Sequence, residues 1–249
     1  MRTRTKCLWF VLSAGAPIFV VACLLLPPTG FGSDHSSTAQ ISVLAAGCVY
    51  KHALPTTNRE GWWVLCTDGA QTAARRTTVS VSDLRAEGHD TDVAEVTAVG
   101  CSVDNVIFLF RGLDAAREGL VETVASKKSL YGWPLKTQAI SLRMGTRTYV
   151  LVTEWGQVRK GREQEMPPYK VTLSSGETEH QVLAEIEETN DAGPYLDWAG
   201  DLDHDGQLDL ALRTPIHYCS ADSDIYLSSL AGEGELVKKI GTIENCGGD

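Results

Sequence analysis

The sequence predicts a mostly β protein built of antiparallel sheets with one short helix. Three observations carry that expectation. Runs rich in β-branched and aromatic residues, bounded by Gly, Asp or Asn, recur from residue 61 onward. Apolar and polar residues alternate in Val79–Ser82 (VSVS) and Val171–Ser174 (VTLS), the period of a strand with one wet face. Only Leu113–Ser126 (LDAAREGLVETVAS) mixes Ala, Arg, Glu and Leu as a helix does, and Gly119 in its interior weakens it. A chain of 249 residues, 43% hydrophobic and 22% charged, is long and apolar enough for a real core, which excludes disorder and coiled coil.

The elements follow in order. Met1–Lys6 holds three positive charges, and Cys7–Leu26 then runs without any. Pro27-Pro28 and a polar Ser/Thr-rich stretch close this leader, residues 1–39. A basic start, an apolar run and the small residues of Ser37-Thr38-Ala39 describe a secretory signal peptide. Two alternatives stay open. The run is long enough for an uncleaved anchor, a membrane tether through residues 7–26. Val20-Val21-Ala22-Cys23 is also similar to a lipobox, although Leu24–Leu26 follows where a lipoprotein turns polar. Each reading places residues from about 40 onward outside the cytoplasm, periplasmic or secreted.

Strands are expected at Gly61–Thr67, Thr77–Leu84, Asp92–Val99, Val106–Arg111 and Arg147–Trp155. Tyr169–Leu173 and His180–Ile186 flank a tight turn, Ser174–Glu177. Leu208–Leu212, Asp224–Leu230 and Glu235–Ile240 return to strand in the last third. Val158–Pro168 is charged and ends in two prolines, so it is either a boundary or a hairpin tip. The organisation read from this is a β-rich region over 40–160 and an acidic C-terminal β region over 161–249. No repeat of 20–50 residues occurs.

Five cysteines lie beyond the leader: Cys48, Cys66, Cys101, Cys219 and Cys246. An oxidising compartment permits disulfides, and nearness in sequence suggests Cys48–Cys66 and Cys219–Cys246, with Cys101 a buried thiol. The formal charge of -10 is concentrated at the C-terminal end. From Glu177 to Asp249 there are 17 acidic residues against three basic ones. That surface repels phosphate backbones, which argues against a nucleic-acid partner, and suits a cation.

One motif carries chemistry. Residues 201–209, DLDHDGQLD, read D-x-D-x-D-G-x-x-D, with Asp201, Asp203, Asp205 and Asp209 as carboxylates. Ca²⁺ takes roughly six to eight hard oxygens, and alternate residues of a tightly wound loop turn inward to supply them. Gly206 permits the sharp turn, the Gln207 carbonyl faces inward, and Asp209 closes the cage. The twelfth position is Leu212 rather than the closing Glu of an EF-hand, and Leu208–Leu212 alternates like a strand. This is therefore a calcium loop between β elements. Zinc and copper suit this oxygen set less well. His204 lies between ligands and is expected to be exposed.

GDLDHDGQLDLAL, residues 200–212, resembles the calcium loop of FG-GAP/VCBS-type repeats and of integrin α-subunit propellers, and is similar to that of dockerin modules. The stretch Leu196–Val237 resembles the ends of exported bacterial proteins. The resemblance implies Ca²⁺ held by Asp201, Asp203, Asp205, Asp209 and the Gln207 carbonyl. Propellers repeat the loop and dockerins pair two copies with helices, whereas this chain has one copy. The expected architecture is therefore sandwich-like or an incomplete propeller.

Other chemistry is thinly represented. His52, His89, His180 and His217 form no metalloprotease motif, and Gly-x-Ser-x-Gly is absent. Cys219 beside His217 reads as a bridged cysteine, and Glu185, Glu187 and Glu188 as a solvated face. Trp62-Trp63 and Trp133-Pro134 suggest a glycan platform, but neighbours on a strand point to opposite faces, which favours the core. The expected function is an exported, calcium-stabilised, non-catalytic binding or interaction module with a protein or glycan partner. The alternative is a secreted or periplasmic enzyme acting on glycans or peptides through a dispersed site.

Overall fold

The computed structural model describes residues 41–46, 48–50, 60–68, 71–83, 94–132, 135–157, 166–187, 192–215 and 222–243. In chain order these form β1 (Ser42–Leu44), β2 (Cys48–Tyr50), β3 (Trp62–Thr67), β4 (Thr72–Thr77), β5 (Val79–Asp83) and β6 (Ala94–Ala98). A 3-10 turn at Val103–Asn105 leads into β7 (Val106–Arg111), followed by β8 (Gly119–Val121) and β9 (Thr123–Ser129). Then come β10 (Gln138–Met144), β11 (Arg147–Trp155), β12 (Tyr169–Ser175) and β13 (Glu179–Ile186). The last four are β14 (Tyr195–Gly200), β15 (Asp209–Arg213), β16 (Ser223–Leu227) and β17 (Lys238–Ile243). No α-helix occurs among the described residues, and the protein is mostly β, as expected.

The strands form four sheets, ordered β2-β6-β5, β1-β7-β3-β4-β8, β17-β16-β15-β14-β9 and β10-β11-β12-β13. Every described pairing is antiparallel. Side-chain alternation explains how the sheets are joined. On β3, Trp62, Val64 and Cys66 enter one apolar cluster, with Val79 and Val96 from β5 and β6. Trp63 and Leu65 point the other way, with Phe108 and Phe110 of β7, into a second cluster. That cluster also takes Trp198, Ala211, Ile225 and Leu227 from the second five-stranded sheet. The opposite face of this sheet supplies Leu196, Ala199, Leu210, Leu212 and Tyr226 to a third cluster, with Tyr149, Leu151, Val171 and Leu173 of β11 and β12. Both five-stranded sheets are thus buried on two faces, so their central strands read as nearly continuous apolar runs. Both Trp62 and Trp63 are core residues. The second cluster draws on residues from both sides of position 160.

Several expectations need correction. Leu113–Ser126 is not a helix. Leu113 and Ala116 form a turn that packs into the core, Gly119 takes φ +140°, and β9 hydrogen-bonds along β14. Helix propensity is a weak prior, and here a neighbouring strand supplies better backbone partners. Cys66 bonds to Cys101, not Cys48, and Cys101 is not a free thiol. The reason is topological: β3 pairs with β7, which brings the segment just before β7 beside Cys66, whereas β2 pairs with β6 in another sheet. The strand expected over Asp224–Leu230 stops at Leu227, where Ser228 begins a turn, and the last strand starts at Lys238.

Strands β11 and β12 are antiparallel neighbours with Trp155 opposite Tyr169, and Gly156 N–H donates to Pro168 O at 2.8 Å. β11 and β12 are therefore the two arms of a hairpin, and residues 158–165 of the expected Val158–Pro168 boundary or tip lie outside the described residues. The leader with its residues 7–26, His52, His89, Trp133-Pro134, Glu188, His217 and the Cys219–Cys246 pairing lie outside the described residues. Among the described residues no helix is long and apolar enough to cross a membrane.

Candidate metal centre

The acidic loop joins β14 to β15 at one end of the second five-stranded sheet. Its entry is set by Gly200. A Cβ there would lie 2.2 Å from Glu122 O and 2.4 Å from the Trp198 ring, so only glycine allows this approach. The approach is used: Asp201 N–H donates to Glu122 O at 2.9 Å, and Trp198 Nε1 donates to Thr123 Oγ1 at 3.0 Å. Within the loop His204 and Gly206 both adopt positive φ, +62° and +80°, which winds the backbone tightly. His204 is exposed, as expected.

Winding turns three carboxylates together. Asp201, Asp203 and Asp209 are buried and each offers an oxygen within 4.8 Å of the other two. Asp201 Oδ1 accepts from Asp205 N–H and its Oδ2 from Gly206 N–H, each at 3.0 Å. Asp209 is fully buried; its Oδ2 accepts from Leu202 N–H at 2.7 Å and its Oδ1 from Ser228 N–H at 2.8 Å. The Ser229 hydroxyl donates to Asp203 Oδ2. Asp203 Oδ1 is buried and has no hydrogen-bond partner among the described residues.

Asp205 and Gln207 are arranged differently from these three. Asp205 is exposed; its Oδ1 accepts from Gln207 N–H at 2.7 Å, and its Oδ2 lies 2.9 Å from the Ser228 hydroxyl. The Gln207 side chain is tethered from the neighbouring sheet, where Arg147 Nη1 donates to its Oε1 at 3.2 Å. Arg147 also donates to Ser175 Oγ at 2.7 Å, pairs with Glu179 and stacks over the Tyr149 ring.

The electrostatics follow from burial. Desolvation, reinforced by the Asp203 charge, pushes the Asp209 carboxyl up to about 8, against the hydrogen bonds from Ser228 and Leu202. Asp203 is raised too, first by desolvation and then by the charges of Asp205 and Asp201. Like charges at such separations repel by on the order of 3 kcal/mol per pair at an effective dielectric near 20. Without a cation this repulsion, with burial, favours the protonated form of Asp209; a bound cation would offset it. Buried, acceptor-only oxygens with one of them unpartnered fit a hard cation. These residues can hold a metal ion.

Sequence reasoning missed Ser228, Ser229 and Arg147. They lie 19 or more positions from their partners in the loop, and no local spacing marks them. Glu185 and Glu187 are exposed, and His180 is exposed with Nε2 3.0 Å from Glu177 O. The chain matches no protein-family model, and no curated protein or solved structure is significantly similar to it.

Proposed function

We propose that this is an exported calcium-binding protein in which the ion is structural and the stabilised β scaffold serves as a binding or interaction module. The observation that carries this reading is Asp203 Oδ1, a buried carboxylate oxygen with no partner inside a cluster of three aspartates. Leaving such an atom unpaired costs roughly 1–3 kcal/mol or more, and a cation ligated there removes that cost. Calcium is favoured by the all-oxygen donor set and by the likeness of residues 200–212 to FG-GAP/VCBS-type loops. In the full ligand set Asp205 and the Gln207 carbonyl join Asp201, Asp203 and Asp209.

The structural role follows from what the loop connects. An ion there ties the end of β14 to the start of β15 and, through Ser228 and Ser229, to the turn after β16. Extracellular modules commonly bind with Kd on the order of 10⁻⁴–10⁻³ M, so ordinary environmental calcium keeps such a site filled. Export is supported by the leader and by the Cys66–Cys101 bond, which suits an oxidising compartment. Equilibrium dialysis against millimolar radioactive calcium tests the reading. We expect one ion retained per chain in the wild type and none in Asp203→Ala. No retention by the wild type would remove the proposal's main support.

A further inference from the structure

The calcium reading above concerns a nine-residue loop, but the orientation of its central carboxylate is set from elsewhere. Asp203 is 94% buried by its 6% exposure, with Oδ2 taken by the Ser229 hydroxyl and Oδ1 unpartnered. Ser229 lies in the turn after β16, 26 residues away. Its neighbour Ser228 serves a different carboxylate. Ser228 N–H donates to Asp209 Oδ1, and its hydroxyl lies 3.0 Å from that oxygen and 2.9 Å from Asp205 Oδ2. One hydroxyl proton serves one acceptor at a time, so Ser228 is shared while Ser229 is committed to Asp203.

We infer that Ser229 is a positioning residue of the ion site: it holds Asp203 by Oδ2 so that Oδ1 stays in the cluster as the ion's ligand. A free carboxylate turns about its last torsion, and fixing it in advance removes an ordering cost from ion binding. The same contact links ion occupancy to the turn. That turn is anchored at its far end by Gln181 of β13, whose Oε1 accepts from Leu236 N–H at 2.7 Å and Val237 N–H at 3.0 Å. Residues 229–236 are therefore held at one end by the ion site and at the other by the neighbouring sheet. The inference rests on the calcium reading, and the experiment separates the two.

Calcium is titrated calorimetrically into the chelator-stripped wild type, Ser229→Ala and Ser229→Thr, with amide hydrogen exchange across 229–236 followed in parallel. A hydrogen bond to a charged group predicts about tenfold weaker binding in Ser229→Ala. Ser229→Thr, which keeps the hydroxyl, should bind within about threefold of the wild type. Calcium should slow exchange across 229–236 in the wild type and in Ser229→Thr, and much less in Ser229→Ala. Should Ser229→Ala fail to fold, Ser229→Cys, a weak donor of similar size, is expected to show the same loss. Wild-type affinity in Ser229→Ala, or an equal loss in Ser229→Thr, would overturn the role of Ser229 and leave the calcium site standing. No binding by the wild type would overturn both.

Discussion

Two groups of carboxylates on one sheet meet opposite fates. Asp197 of β14 faces a two-point contact from Arg213 of β15 and the Ser223 hydroxyl at 2.7 Å. Asp224 of β16 faces Lys239 Nζ at 2.6 Å and Thr242 Oγ1 at 2.8 Å. Strand register places these cations, because β14, β15, β16 and β17 lie side by side. At the end of the same sheet Asp201, Asp203 and Asp209 are buried and receive N–H and O–H donors, with no Lys or Arg paired to them among the described residues. Backbone donors satisfy hydrogen bonds without adding charge. The strand carboxylates Asp197 and Asp224 are neutralised by cations in register, while the loop leaves an excess of negative charge that a metal ion would offset.

The largest expected effect breaks the loop itself. Asp209→Ala strands the buried Leu202 and Ser228 N–H groups, so it should cost about 3 kcal/mol or more with or without calcium. Denaturant unfolding in both states measures it. Asp203→Ala and Asp205→Ala narrow the contrast: each should lower Tm in calcium, while in chelator Asp205→Ala should barely change it and Asp203→Ala, which removes an unpaired buried carboxylate oxygen, should leave it unchanged or raise it. Equal losses in both media would contradict an ion at this site.

Proton linkage gives a third effect of fixed sign. The Asp209 carboxyl of the metal-free protein sits at about 8 against an ordinary 3.8. Because the folded value is the raised one, the contribution of Asp209 to metal-free stability is fully present below about pH 4 and is lost as pH rises toward 8. Calcium bound at the cluster would displace that proton, so the calcium-induced rise in Tm should grow between pH 5 and about 8 and then level off. Titration at pH 6 in buffers of different ionisation enthalpy should reveal proton release, which should vanish near pH 9. The smallest effect lies on the other side of the comparison. Arg213→Ala removes a pair whose arginine is 41% exposed and whose Asp197, 16% exposed, keeps the Ser223 hydroxyl, so a loss of about 1 kcal/mol is expected, equal in calcium and chelator and reduced by salt.

Sequence reading succeeded where the determinants were local. The apolar runs of β3 and β7 and the alternation of β12 announced strands because burial on both faces or one face writes directly into the pattern. The acidic loop was legible because its carboxylates are packed into nine residues. What failed depended on partners far away. β9 (TVASKKS) is exposed along its second half and became a strand by pairing with β14, and β4 (TAARRT) carries too few apolar side chains to announce itself. The Cys66–Cys101 bond needed the β3–β7 pairing, and the hold of Ser229 on Asp203 needed the fold of the whole sheet.

Whether a structural calcium ion completes the buried aspartate cluster is decided by calorimetric titration of Ca²⁺ into the chelator-stripped protein, with a melting curve in each state. Saturable binding of one ion per chain is expected, with a Kd on the order of 10⁻⁴–10⁻³ M and a higher Tm in calcium. No heat of binding and coincident melting curves at millimolar calcium would contradict it.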